Sequence, residues 1–83
     1  MNSLHELPNI SKVIEEKLID VGVYPPIVLE DIGSKEAFRR IKQRDSTACI
    51  NFLYALEGAI EGKKWHYLPD DKKQELKIFY KTL

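Results

Sequence analysis

Apolar positions recur at helical spacing along nearly the whole chain and nowhere alternate over the length of a strand, so an all-α fold is expected. Ile10, Val13, Ile14, Leu18 and Val21 share one face of a first helix from about Ser11 to Val21, while Glu15, Glu16 and Asp20 point elsewhere. Gly22 is placed to cap it in the left-handed conformation, with Val23 positioned to touch Leu18 in a Schellman motif. Tyr24-Pro25-Pro26 blocks immediate helix, and Ile27, Leu29 and Ile32 then mark a short second helix closing at Gly33. Ser34 is a good N-cap for a third, Lys35 to about Arg44, whose apolar side is Ala37, Phe38 and Ile41. Asp45 and Ser46 supply the break and the next cap.

From Ala48 to Ile60 apolar residues run almost all round a fourth helix, which must be covered on most sides and is therefore expected at the centre. The bundle should pack around Phe52, Leu53 and Leu56, with Cys49 as a small core residue. Gly62 ends this helix, and residues 63–68 form a connector. Pro69, followed by Asp70 and Asp71 where they complement the helix dipole, opens a fifth helix with the stripe Leu76, Phe79, Tyr80 and Leu83.

Eighty-three residues make one domain, 1–83, and the short loops suit one compact bundle of about five helices. A 43% hydrophobic, 31% charged composition is that of an ordinary globular chain. Thirteen basic and thirteen acidic residues cancel, so the whole-molecule field that drives indiscriminate nucleic-acid or membrane-surface binding is missing, and any such binding must come from a local patch. The lone Cys49 makes no internal bridge, the first eight residues lack a leader's basic start and apolar stretch, and no apolar run approaches a membrane span. A cytoplasmic protein without membrane attachment is the expectation.

Catalysis finds little support. His5 and His66 lack HExxH, CxxC or Cys-His spacing, and no Gly-rich phosphate loop occurs, so neither catalytic residue, metal nor cofactor is assigned. His66 is placed to hydrogen-bond a helix terminus. Trp65 before Pro69 anchors the connector onto the core, or, with Tyr67 and Tyr54, offers a stacking surface for bases.

The run Leu7-Pro8-Asn9-Ile10-Ser11-Lys12, followed by an amphipathic helix, resembles a helix-hairpin-helix element, in which a Leu-Pro-Gly-Ile-Gly type hairpin opens the second helix. Asn9 and Ser11 stand where that pattern has glycines, which makes the element degenerate. Asn9 can still take a left-handed conformation, and Ser11 either caps the helix or lies between the backbone and a phosphate. Only Ser3 to Glu6 precede the hairpin, so its partner helix must come from elsewhere in the fold.

Gly33-Ser34-Lys35-Glu36-Ala37-Phe38-Arg39-Arg40-Ile41, Leu53-Tyr54-Ala55-Leu56-Glu57-Gly58-Ala59-Ile60 and Trp65-His66-Tyr67-Leu68-Pro69 together resemble the C-terminal domain of the TfoX/Sxy family of competence regulators, from about Leu4 to Tyr80. The resemblance implies a non-enzymatic, all-helical regulatory domain. In longer relatives it follows an α/β N-terminal domain and belongs to activators of DNA-uptake genes, with the cyclic-AMP receptor protein as transcriptional partner. This chain reads as that domain without its N-terminal neighbour, reused as an adaptor.

Charge is unevenly spread. Residues 1–34 carry a balance of minus four and residues 35–44 one of plus four. Lys35, Arg39 and Lys42 fall within about 60° of arc on the third helix, opposite its apolar side. They form either a phosphate-tracking face or a solvated one in which Glu36 pairs with Arg40. The nucleic-acid-binding candidates are thus Asn9, Ile10, Ser11, Lys12, Lys35, Arg39 and Lys42. The acidic first helix would repel phosphate, and the charge split fits docking to a basic protein, or homodimer formation, with no nucleic-acid role.

Overall fold

The computed structural model describes residues 4–83. Ser3, counted as part of the approach to the hairpin, and Met1 and Asn2, where a leader was sought, lie outside the described residues. The elements are a 3-10 turn at Leu4–Glu6, α1 (Lys12–Asp20), α2 (Pro26–Arg44), α3 (Ile50–Glu61), a second 3-10 turn at Trp65–Tyr67, and α4 (Asp70–Tyr80); no strand occurs among the described residues. The all-α expectation holds. The second and third expected helices meet in α2, within which Gly33 takes non-helical angles (φ 84°, ψ 164°) open in practice only to glycine.

Local signals set most boundaries. The α1 terminus is a Schellman cap: Val23 N–H donates to Leu18 O at 2.8 Å and Gly22 N–H to Ile19 O at 3.0 Å, with Gly22 at φ 82° and Val23 fully buried. Gly62 closes α3 with φ 74°. Three expectations at the helix starts fail. Ser34 does not cap; Gly33 takes the non-helical angles, and Ser34, 4% exposed, donates instead to Glu57 Oε1 at 2.6 Å across to α3. Ser46 caps nothing either, because Asp45 organises the break, its Oδ1 accepting from Thr47 N–H at 3.0 Å and its carbonyl from Ala48 N–H at 3.1 Å. Cys49 is exposed rather than buried, since α3 starts at Ile50 and Cys49 is its extended N-cap (φ −105°, ψ 173°); Ala48 fills the core position.

α3 is central, as its apolar circumference requires, with α2, α4 and the second 3-10 turn packed on it. Leu4, Leu18, Leu29, Phe38, Ile41, Leu53, Leu56 and Leu76 are sealed from solvent. Leu53 and Leu56 sit where expected, but Phe52 is only half-buried and Phe38 is the large aromatic of the core, tilted against the rings of Phe52 and Tyr80 at 6.2 and 5.8 Å. Val13 is 62% exposed, on the far side of α1 from Leu18, and Leu83 is 47% exposed because α4 ends at Tyr80, so neither belongs to the stripe assigned to it.

Candidate functional site

Two surfaces hold the residues singled out by sequence. At the first, Asn9 adopts the left-handed conformation (φ 70°), and its side chain is turned inward as a clasp. Its amide donates to Lys63 O at 2.9 Å and Ala55 O at 3.4 Å, and its Oδ1 accepts from Trp65 N–H at 3.2 Å. The hairpin is thereby tied to α3 and the second 3-10 turn. Ile10 is 5% exposed and part of the core. Ser11 takes the capping role, accepting from Ile14 N–H at 3.2 Å. Of the four hairpin residues only Ser11 and Lys12 are exposed.

The Asn9 clasp needs room, and Gly58 supplies it. A Cβ there would lie 2.5 Å from Asn9 Nδ2, 2.8 Å from Lys63 O and 3.1 Å from Trp65 Cα. Ala55, Gly58 and Ala59, small and buried, form the side of α3 that the clasp approaches. Tyr54 and Trp65 stack at 5.6 Å, His66 stacks on Trp65 at 4.1 Å, and Lys73 Nζ stands 5.8 Å from the indole centroid. Trp65 is half-buried against the core, as a connector anchor should be. His66 does not reach a helix terminus with its ring; its carbonyl accepts from Lys73 Nζ at 3.3 Å.

The second surface is the seam between the later half of α2 and α4. All three cations of the α2 row are engaged within the chain. Lys35 pairs with Glu75 at 2.7 Å and lies over the Phe79 ring. Arg39 makes a bidentate pair with Glu36, at 2.9 and 2.6 Å. Lys42 donates to the carbonyls of Ser46 and Ala48, both at 2.8 Å, and lies over Tyr80. Arg40 also binds Glu36, at 2.9 Å, the i+4 pair expected for a solvated face. No hydrogen bond or ion pair among the described residues joins this row to the hairpin. Two shallow hollows lie along the seam, one of about 500 Å³ reaching Ile78 and Phe79 between Lys35 and Glu75, the other of about 300 Å³ between Arg39, Lys42 and Leu83.

Further groups escaped the sequence. Ser34, the half-buried Glu57 and Glu61 form a polar network beneath the kink in α2. Its hydrogen bond to Glu57 pushes the Glu61 carboxyl above its ordinary value. The i, i+4 spacing of Glu57 and Glu61 was the available signal. The ion pairs also leave a pH signature. Hydrogen bonds from Arg39 and then Arg40 hold Glu36 down to about 2, and those from Lys17 and then Thr47 hold Asp45 down to about 2, from ordinary values of 4.5 and 3.8. Because both folded values are depressed, their contribution to stability is full above the ordinary values and is lost as pH falls toward 2. Thermal unfolding followed from pH 7 to 2 should show the midpoint falling below about pH 5, and Glu36→Gln should flatten that fall; an equal slope in the variant would remove Glu36 as a source.

Together these features define a small all-α domain in which an N-terminal hairpin is clasped to a central helix; no group of three His, Cys, Asp or Glu residues is placed to hold a metal, and no helix is long and apolar enough to cross a membrane, among the described residues. The chain belongs to the TfoX C-terminal domain family, whose sequence model matches residues 1–80. It is 37% identical over 73 residues to Protein Sxy of Escherichia coli strain K12, covering 88% of this chain and 35% of Sxy. To the DNA transformation protein TfoX of Haemophilus influenzae it is 32% identical over 76 residues, covering 92% of this chain and 35% of TfoX. The chain thus spans about a third of the length of these curated relatives. Among solved structures, an uncharacterised Listeria monocytogenes protein in a triclinic crystal form superposes with a TM-score of 0.95 at 54% identity, over 99% of this chain and 92% of that one. A Listeria monocytogenes protein of unknown function in a tetragonal form gives 0.92 at 54% identity, over 94% and 96%.

Proposed function

We propose that the domain is a non-enzymatic, cytoplasmic regulatory module of the TfoX/Sxy type that works by docking a protein of the transcription machinery on the α2–α4 seam. The observation that carries this reading is the engagement of Lys35, Arg39 and Lys42 inside the chain. A row whose charges are matched by Glu75 and Glu36, or capped on carbonyls, is a weak lure for phosphate. The hollow at Ile78 and Phe79, apolar and edged by Lys35, Asp71 and Glu75, has the anatomy of a protein interface, an apolar centre within a polar rim. The second reading, contact with a DNA backbone at the hairpin, is favoured by exposed Ser11 and Lys12 at the start of α1. A homodimer through the same seam is a third outcome of the tests.

The deciding experiment replaces the matching region of Haemophilus influenzae TfoX with this chain and measures DNA transformation. Ile78→Glu, at a site 59% exposed, should abolish function while leaving the helical circular-dichroism spectrum unchanged, and Arg39→Glu should leave transformation within about twofold. If Arg39→Glu instead removes activity, lowers duplex affinity and reduces the salt slope by about one, the row tracks phosphate and the docking reading fails. Light scattering over a concentration series identifies the self-associating case.

A further inference from the structure

Once the α2 row is neutralised, the unspent positive charge lies elsewhere. Residues 63–83 hold six lysines against Asp70, Asp71 and Glu75, a balance of plus three. Glu75 is shared by Lys35 at 2.7 Å and Lys72 at 3.5 Å, and Lys63 reaches Glu61 at 3.8 Å, which leaves Lys64, Lys73, Lys77 and Lys81 outside any ion pair among the described residues. Within this segment sit Trp65, His66 and Tyr67, flanked by exposed Lys64 and by Lys73.

The geometry is that of a platform. Tyr54, Trp65 and His66 are stacked in sequence with interplanar angles of 22° and 24°, Lys73 lies over the indole, and Tyr67 is 72% exposed, the most open of the large apolar side chains among the described residues. Tyr54 and His66 already stack on the indole, so the aromatic surface open to a ligand is that of the exposed His66 and Tyr67 rings. The platform is held rigid from below, Trp65 N–H being bound by Asn9 and Lys73 Nζ by the His66 carbonyl. Exposed aromatic rings interleaved with lysines on a fixed support suit a ligand with flat faces and regularly spaced negative charge.

We infer that this platform binds single-stranded nucleic acid, with unpaired bases stacking on His66 and Tyr67 and phosphate meeting the exposed Lys64, while Lys73 stays on the His66 carbonyl as part of the support. A duplex hides its base faces within its own stack, whereas a single strand offers one at every nucleotide, and aromatic stacking accepts any base. The site is separate from the α2–α4 seam and does not rest on the docking reading. Modest affinity and a shallow salt dependence, a slope of about 0.7 for each phosphate met, follow from a platform with so few free cations.

The test uses a labelled oligothymidylate of roughly 12 nucleotides and a duplex of the same length at low salt. Trp65, the sole tryptophan, is a built-in reporter beneath the site. The strand should quench Trp65 fluorescence and bind more tightly than the duplex. Tyr67→Ala should weaken it about fivefold or more, and Lys64→Glu should lower the salt slope by about 0.7. Both positions are exposed, so neither change threatens the fold, and Ile78→Glu should bind the strand as the parent does. Duplex affinity equal to that of the strand, an unquenched Trp65, or a Tyr67→Ala variant that binds unchanged would each overturn the proposal. So would an acidic peptide that quenches Trp65 where the oligonucleotide does not. A parent chain that binds no strand while its seam function is intact would remove this site alone.

Discussion

Phe38→Ala should cost about 3–5 kcal/mol, the largest loss available to a single truncation here, because it removes the bulkiest fully buried side chain from the junction of three helices. Phe38 stands on α2 just beyond the kink at Gly33 and meets Phe52 of α3 and Tyr80 of α4. Its site cannot collapse easily, since Leu53, Leu56 and Leu76 are themselves sealed in the same cluster. A domain of this length is stable by only about 4–12 kcal/mol, so the loss takes a large share of the total. In thermal unfolding the midpoint should fall by more than about 12 °C. Phe52→Ala should cost less, as that ring is half-buried. If Phe52→Ala proves the more damaging of the two, Phe52 rather than Phe38 is the large aromatic of the core, as the apolar pattern alone suggests.

That contrast marks where sequence stops being informative. Features fixed by neighbours within a turn were legible: the Schellman cap joining Leu18 and Ile19 to Gly22 and Val23, the break at Gly33, the cap at Gly62 and the Glu36–Arg40 pair all involve residues close in the chain. Features fixed by distant residues were not. Lys35 finds Glu75 forty positions away, and Ser34 leaves its expected capping role for Glu57 because a buried hydroxyl must find a partner. The candidate site suffers most from this, since whether a lysine is available to a ligand depends on what the tertiary fold sets beside it. Asn9 is the clearest case: its left-handed backbone was readable from its residue type, but its side-chain partners lie on α3 and beyond, at Ala55, Lys63 and Trp65.

The same clasp explains a motif that sequence could name but not interpret, and Gly58→Ala tests the explanation. In isolation the change favours helix by about 1 kcal/mol, since alanine is the better helix former. Here the new methyl would meet Asn9 Nδ2 at 2.5 Å, Lys63 O at 2.8 Å and Trp65 Cα at 3.1 Å, and two of those three atoms are backbone. Relief requires moving the second 3-10 turn off α3, which breaks the Asn9 hydrogen bonds and unseats Trp65. A net loss of about 1–3 kcal/mol is expected, with a fall in midpoint of at least about 4 °C and a change in Trp65 fluorescence in the folded state. Asn9→Ala alone should also destabilise, because it leaves Lys63 O and Trp65 N–H without their partner. The double variant should lose less than the sum of the two, by about 0.5 kcal/mol or more, since removing Asn9 clears one clash. It should not return to parental stability, because the Lys63 carbonyl remains in the way. A Gly58→Ala variant as stable as the parent, with unchanged fluorescence, would mean that the turn does not rest on α3 at this distance, and the clasp would lose its place as the device that joins the hairpin to the aromatic platform.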